Sequence, residues 1–380
     1  MRAAFHSASA WPAPRTAGRI TGLDVARCLA IIGMVAVHVG PTGHESALGL
    51  LYAVPHGRAS ILFLLLAGIG LSLLAAKWST AALKARIFRT FVLFLLGGLA
   101  LQHLEHEANI ILATYGLLFA GGFLLVGASQ RWLLILAAAL LALGPLVFIW
   151  TQLAASELVS RTAPTFSDGL PVITAKLFVA GRYPVLTWAA PFLVGMWLGR
   201  CDLQSRQVQM RMILYGTMSA AGALALSAVA RWSLGVPGDA PGWSHLYMAS
   251  PHSLMPLWLI SATGAATAVT GVCLWLGNRV RHPLRPAIEL GRMALTFYVV
   301  HLIALHFWHD ALTAHAPADA LLKVLAMVAV AAVVAHLWLR MYRCGPLEAL
   351  LSSPRHPGAG IRRHERTDES RYRPAERLDH

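Results

Sequence analysis

The stretch from Gly18 to Gly40, GRITGLDVARCLAIIGMVAVHVG, constrains this chain more than any other. Its apolar run matches the roughly 20 residues needed to cross a bilayer, yet Asp24, Arg27 and His38 interrupt it. A charge at membrane depth costs roughly 2.5–3.5 kcal/mol on insertion scales and points to function by default. At about 100° per residue, Arg27 and His38 lie about 20° apart around a helix and Asp24 about 60° from Arg27, so all three share one polar stripe. Along the axis His38 lies roughly 16 Å beyond Arg27. The stripe reads as an ion pair near one membrane surface and a titratable imidazole near the other. A plainer reading makes the pair an anchor that positions the helix, and the imidazole a hydrogen bond to a neighbouring span.

The rest of the chain has the same character. It is 57% hydrophobic and only 13% charged, with mean hydropathy +0.60, whereas soluble domains carry about 25% charged residues. The sequence therefore predicts an all-α, polytopic integral membrane protein. The formal net charge of +14 does not point to nucleic acid, because the basic residues cluster between hydrophobic runs and in the C-terminal stretch. That pattern orients a membrane protein and attracts anionic lipid headgroups. Cys28, Cys201, Cys273 and Cys344 form no CxxC pair, so neither a disulfide nor a metal site is expected. The first apolar run is too long and too charged for a cleaved signal peptide, which makes it a retained span.

Three regions follow: a mobile cytoplasmic arm over 1–18, a transmembrane domain over 19–350 and a disordered basic cytoplasmic tail over 351–380. The domain reads as about ten spans, with LPVITAKLFVAG after the long connection 151–182 too short to cross. Ten spans put both termini on one side. With the N-terminus inside, 24 of the 31 lysines and arginines fall in cytoplasmic segments and 6 outside, which supports an N-in, C-in topology in the cell inner (plasma) membrane. No inverted repeat of the kind common in secondary transporters is evident.

Arg19, Leu23, Asp24, Arg27, Ala30 and His38 spell R-x3-LD-x2-R-x2-A-x7-H. This resembles the opening helix of membrane-bound acyltransferases. More closely, the chain is similar to the bacterial relatives of heparan-alpha-glucosaminide N-acetyltransferase. GRASILFLLLAG (57–68), ILATYGLLF (111–119), RYPVLTWAAPFLVGMWLGR (182–200), PHS (251–253), GRMALTFYVVH (291–301) and GPLE (345–348) carry the similarity across nearly all the spans. The resemblance implies an acyl-CoA donor, acetyl-CoA first, taken from the cytoplasm, and an acceptor at the far face. The acceptor would be an envelope glycan, a lipid-linked sugar or a secreted metabolite. His38 would deprotonate the acceptor or carry the acyl group itself. In the heparan enzymes the position matching His38 is asparagine and the acetyl-carrying histidine lies in the next loop, which makes His56 the second candidate. Direct transfer and an acyl-histidine intermediate both stay open.

Around this core, Arg19, Asp24 and Arg27 are structural or donor-binding candidates, since forked guanidinium donors suit phosphates. His252 and Ser253 are candidates for the acceptor side, or for capping the helix that follows. Tyr298 and His301 lie three apart on span 9 and face the cavity by family likeness, or make an ordinary interhelical bond. The QHLEHE (102–107) and HFWHD (306–310) clusters need no metal. Expected partners are the donor, the acceptor and membrane lipids, with a homo-oligomer compatible and nucleic acid excluded. The competing classes are a proton-coupled transporter or exporter and a non-catalytic membrane assembly protein.

Overall fold

The computed structural model describes residues 18–352 except 42–48, 50–51, 53, 105–107, 156–161, 241, 278 and 281. The expected arm and tail therefore lie almost wholly outside the described residues, as does the second half (105–107) of the QHLEHE cluster. Every regular element described is helical. In chain order these are α1 (Thr21–Val39), α2 (Arg58–Ala75), α3 (Thr80–Leu101), α4 (Leu112–Leu124) and α5 (Gln130–Ala154). There follow α6 (Leu170–Ala175), which runs on as a π-helical turn over Lys176–Ala180, then α7 (Val185–Leu198), α8 (Arg206–Leu234) and α9 (Pro256–Gly277). Then come α10 (Arg285–Arg292), α11 (Ala294–Phe307), α12 (Pro317–Met341) and α13 (Pro346–Leu351), with a 3-10 turn over Trp243–Tyr247 and a single helical turn over His309–Leu312 left unnumbered.

Six of these, α1, α2, α5, α8, α9 and α12, are long and apolar enough to cross a membrane. The number rises to eight if the bent pairs α6–α7 and α10–α11 each count as one span. The sequence expectation of about ten adds α3 and α4. Lys84, Arg86 and Arg89 fill the first half of α3, and α4 has only 13 residues, so neither reaches the proportions of a span by itself. These are the proportions of a multi-pass helical membrane protein.

Local rules account for some of the boundaries. Ser79 and Ser129 cap α3 and α5 by accepting from the backbone N–H of Ala82 and Trp132, as N-cap hydroxyls do. Gly40 and Pro41 close α1. Two segments depart from a simple reading. LPVITAKLFVAG forms α6 and the π turn, bent 50° from α7. The expected continuous ninth span is broken at Met293, where α10 and α11 meet at 77°.

At the centre stands α1, packed against α2, α9, α10, α11 and α12. The second organising contact joins α2 and α7 through glycines. A Cβ on Gly68 would lie 2.0 Å from the Phe192 carbonyl oxygen, and one on Gly195 2.1 Å from that of Leu65. Only a missing side chain lets two backbones approach so closely, the usual basis of helix packing in lipid. Trp188, Trp258 and Phe192 are fully buried beside this seam. At the periphery, α8 and α12 turn Leu226, Val229, Val330 and Val333 outward, a surface suited to hydrocarbon rather than water.

Candidate functional site

The charged end of α1 comes first. Asp24 is only 1% exposed and receives two arginines: Arg19 donates from Nε (2.5 Å) and Nη2 (2.8 Å), and Arg27 from Nη1 (2.6 Å). A buried carboxylate is tolerable only when paired and hydrogen-bonded, and here both oxygens are engaged. Gly291 of α10 lies directly against this turn, where a Cβ would come within 1.8 Å of the Asp24 carbonyl oxygen. A cavity of about 510 Å³ opens beside the network, and Arg19, Arg27, Lys77, Arg86 and Arg292 give it a basic wall.

That cavity adjoins an apolar slot of about 240 Å³ along Arg27, Gly70, Leu74, Ala294 and Leu295. The slot continues between α1, α2, α4 and α11 to Tyr115 and Tyr298. Tyr298 lies beside His301, with ring centroids 5.6 Å apart.

His301 links the slot to the other end of α1. Its Nδ1 lies 3.1 Å from the Phe297 carbonyl oxygen, and its Nε2 lies 3.0 Å from His38 Nδ1. The two rings stack at 5.3 Å with 10° between their planes. These partners assign the tautomers. A carbonyl only accepts, so His301 carries its proton on Nδ1; with both rings neutral, His301 Nε2 accepts from His38 Nδ1–H. His38 then holds its lone pair on Nε2, the configuration of a general base oriented by a second group.

Beyond the pair lies a cavity of about 410 Å³ lined by His38, His56, Arg182, His252, His309 and His315. His56 is oriented like His301, with Nδ1 2.6 Å from the Tyr52 carbonyl oxygen. His252 has φ +58°, uncommon outside glycine. Its ring sits 5.9 Å from Trp258, 6.1 Å from Trp188 and 5.9 Å from Tyr183. An aromatic nest therefore holds it, not a capping role. A neighbouring cavity of about 320 Å³ shares Arg182 and His252 and includes Ser253. Ser253 Oγ accepts from the Met255 N–H at 3.4 Å, so the serine closes the turn that leads into α9.

Two groups outside the spans complete the electrostatics. At Asp168 burial pushes the carboxyl up, but hydrogen bonds from Lys176 and Thr165 and the Lys176 charge outweigh it and hold the group below its ordinary range. Glu348, just before the end of the described chain, accepts from the Leu295 N–H (2.7 Å), the Thr296 N–H (3.1 Å) and the Thr296 hydroxyl (2.6 Å). It thereby caps the helix start that the break at Met293 leaves open.

The structure thus brings the sequence candidates into two groups. Arg19, Asp24 and Arg27 form one network, while His38, His56 and His252 share one cavity. His301 pairs with His38, Tyr298 closes the apolar slot and Ser253 lies one cavity away. Sequence reasoning missed Arg182, His309, His315 and the role of Glu348. Arg182 had a signal, since GRYP places a cation at a helix break. Glu348 had one too, an acid following Gly-Pro, but nothing local says which helix it caps.

Helices of these lengths around a half-buried histidine pair, with cavities at both ends of the central helix, define the class: a multi-pass helical membrane protein with a candidate acid–base site. A family model described as "Protein of unknown function (DUF418)" matches residues 197–353. The match takes in α8–α13 and hence His252, Tyr298, His301 and Glu348, but not α1. An 89-residue stretch, 22% of this chain, is 39% identical to the uncharacterized protein YxaH of Bacillus subtilis (strain 168). It covers 22% of that relative's length.

Proposed function

We propose that this protein is a membrane acyltransferase that moves an acetyl or other short acyl group from cytoplasmic acyl-CoA to an acceptor at the far face. The observation that carries the reading is the His38–His301 pair: His38 lines an open polar cavity, and His301 stands beside Tyr298, which lines the apolar slot. The resemblance of the first helix and of GRMALTFYVVH to the heparan N-acetyltransferase relatives supports it. In this reading the chain crosses the inner membrane ten times with both termini in the cytoplasm. Two observations favour that topology: the distribution of lysine and arginine, and the separation of an arginine-lined cavity from a histidine-lined one at opposite ends of α1.

The donor's phosphates meet Arg19, Arg27, Lys77, Arg86 and Arg292, and its thioester arm extends along the slot toward Tyr298. The acceptor hydroxyl or amine approaches His38 through the polar cavity. His38 Nε2 takes the acceptor proton as the acceptor atom bonds to the thioester carbonyl carbon. The C–S bond then breaks, and the departing thiolate of CoA receives a proton from the imidazolium. His301 and the Phe297 carbonyl hold the ring in the productive tautomer throughout.

The test is incubation of the reconstituted protein with labelled acetyl-CoA, followed by extraction of acylated glycans and lipids. Transfer is expected with the native chain and is expected to fall by about 10²–10⁴-fold in His38→Ala, the range for loss of a general base. Full transfer by that variant removes His38 from the mechanism. Solute flux across vesicles without acyl-CoA consumption would favour a proton-coupled transporter instead.

A further inference from the structure

The 410 Å³ cavity at the His38 end has an unbalanced lining. It holds Arg182 and five histidines, and no aspartate or glutamate among the described residues lines it. Arg182 is the fixed charge, since an arginine stays protonated at any physiological pH. No described carboxylate lies within ion-pair distance of it, and its Nε is buried without an acceptor. Arginines at such depth are ordinarily paired. Arg19 and Arg27, by contrast, are paired with Asp24.

The backbone adds to the same sign. Four helices begin within two to four residues of this cavity's lining: α2 after His56, α4 after Asn109, α7 after Tyr183 and α9 after His252. The first N–H groups of a helix carry a partial positive charge and suit anions. Arg182 itself sits in the break between the π turn and α7, the kind of interruption tolerated at membrane depth where backbone lines a polar cavity.

From an arginine with no described carboxylate partner, the five imidazoles and the nearby helix starts, we propose that this cavity is an anion site. The acceptor it takes is a glycan bearing a carboxylate or a phosphate, with Arg182 as its counter-ion. That the ligand is the acceptor rests on the acyl-transfer reading; that it is anionic does not. A carboxylate would come from an acidic sugar and a phosphate from a sugar linked to a lipid carrier. Both present the planar or tripodal oxygens that a guanidinium fork binds.

Binding is measured without acyl-CoA, on the full chain in nanodiscs, by calorimetric titration with three probes: a uronic acid disaccharide, N-acetylglucosamine 1-phosphate and a neutral N-acetylglucosamine disaccharide. At least one anionic probe is expected to bind at least tenfold more tightly than the neutral one. That preference should shrink as salt rises, disappear in Arg182→Gln and largely return in Arg182→Lys. Preference for the carboxylate identifies an acidic sugar, and preference for the phosphate a lipid-linked one. Equal binding of all three probes, or a preference unchanged in Arg182→Gln, overturns the proposal. If Arg182→Gln does not fold, the salt dependence of the native chain decides. Anion binding without any acyl transfer would leave the site standing and remove the enzyme reading, whereas transfer to neutral glycans alone would do the reverse.

Discussion

At the scale of single residues, the tautomer chain from Phe297 through His301 to His38 makes a sharp demand on what may replace His301. An alanine there leaves the His38 Nδ1–H without its acceptor and lets the ring turn or change tautomer. A glutamine can offer a carbonyl oxygen in nearly the same place. His301→Gln is therefore expected to retain about tenfold more transfer than His301→Ala, within the range available to acid–base catalysis. The two variants should differ in kcat while sharing one KM for acyl-CoA. Equal loss in both would mean that His301 acts by bulk alone. His38, Asp24 and Arg27 were legible in the sequence because polar residues in an apolar run have few reasons to persist. The 263-residue separation of His38 from His301 was not, because a helical period identifies faces and never their partners. Arg182 was passed over for a similar reason. What marks it is its place in a cavity lined by five histidines and no described carboxylate, which is a property of the surroundings.

At the scale of elements, Glu348 and Asp168 show how short segments hold the site's frame. Glu348 satisfies two backbone N–H groups and a hydroxyl at the start of α11. Glu348→Ala leaves those donors unsatisfied, and each buried orphan costs about 1–3 kcal/mol. The variant should unfold at a clearly lower temperature in detergent when followed by helical circular dichroism, and an unchanged midpoint would show that water takes over the cap. Asp168 anchors the start of α6 to Lys176 at 2.9 Å. Because its folded pKa is depressed below the ordinary value of 3.8, the folded state binds fewer protons than the unfolded one as pH falls through that region. The stability it supplies is present above about pH 4 and is lost as pH drops through the folded value. Asp168→Asn should flatten that part of the acid-unfolding curve, and an unaltered curve would assign the acid sensitivity to other carboxylates. The boundaries of α1 could be read almost to the residue from its apolar run and the Gly-Pro stop. The break at Met293 could not, since no proline marks it and its causes lie far off, in Asp24 against Gly291 and in Glu348.

At the scale of the whole molecule, the proposed topology makes a prediction about two native cysteines. Cys201, between α7 and α8, and Cys344, between α12 and α13, both belong to the end that carries most of the arginines. A membrane-impermeant maleimide applied to intact cells should leave both unmodified and label them once the membrane is permeabilised. A cysteine introduced at Thr313, beside the histidine cavity, should react from outside. Labelling of Cys344 in intact cells would reverse the topology and with it the direction of transfer. The all-helical membrane class was legible from hydropathy alone, because burial in lipid leaves a compositional trace at every position. The number of crossings was less so, since α3 and α4 gain their place from packing on each other rather than from length or hydropathy.

The cap on α11 also sets an order of events during synthesis. Glu348 leaves the ribosome after every helix that surrounds the histidine pair, yet the helix carrying His301 has an open first turn until that carboxylate arrives. A nascent chain can therefore insert all its spans and still present a loose His301 to the translocon and to quality-control proteases. Only when the Gly345–Glu348 segment emerges can that first turn be capped.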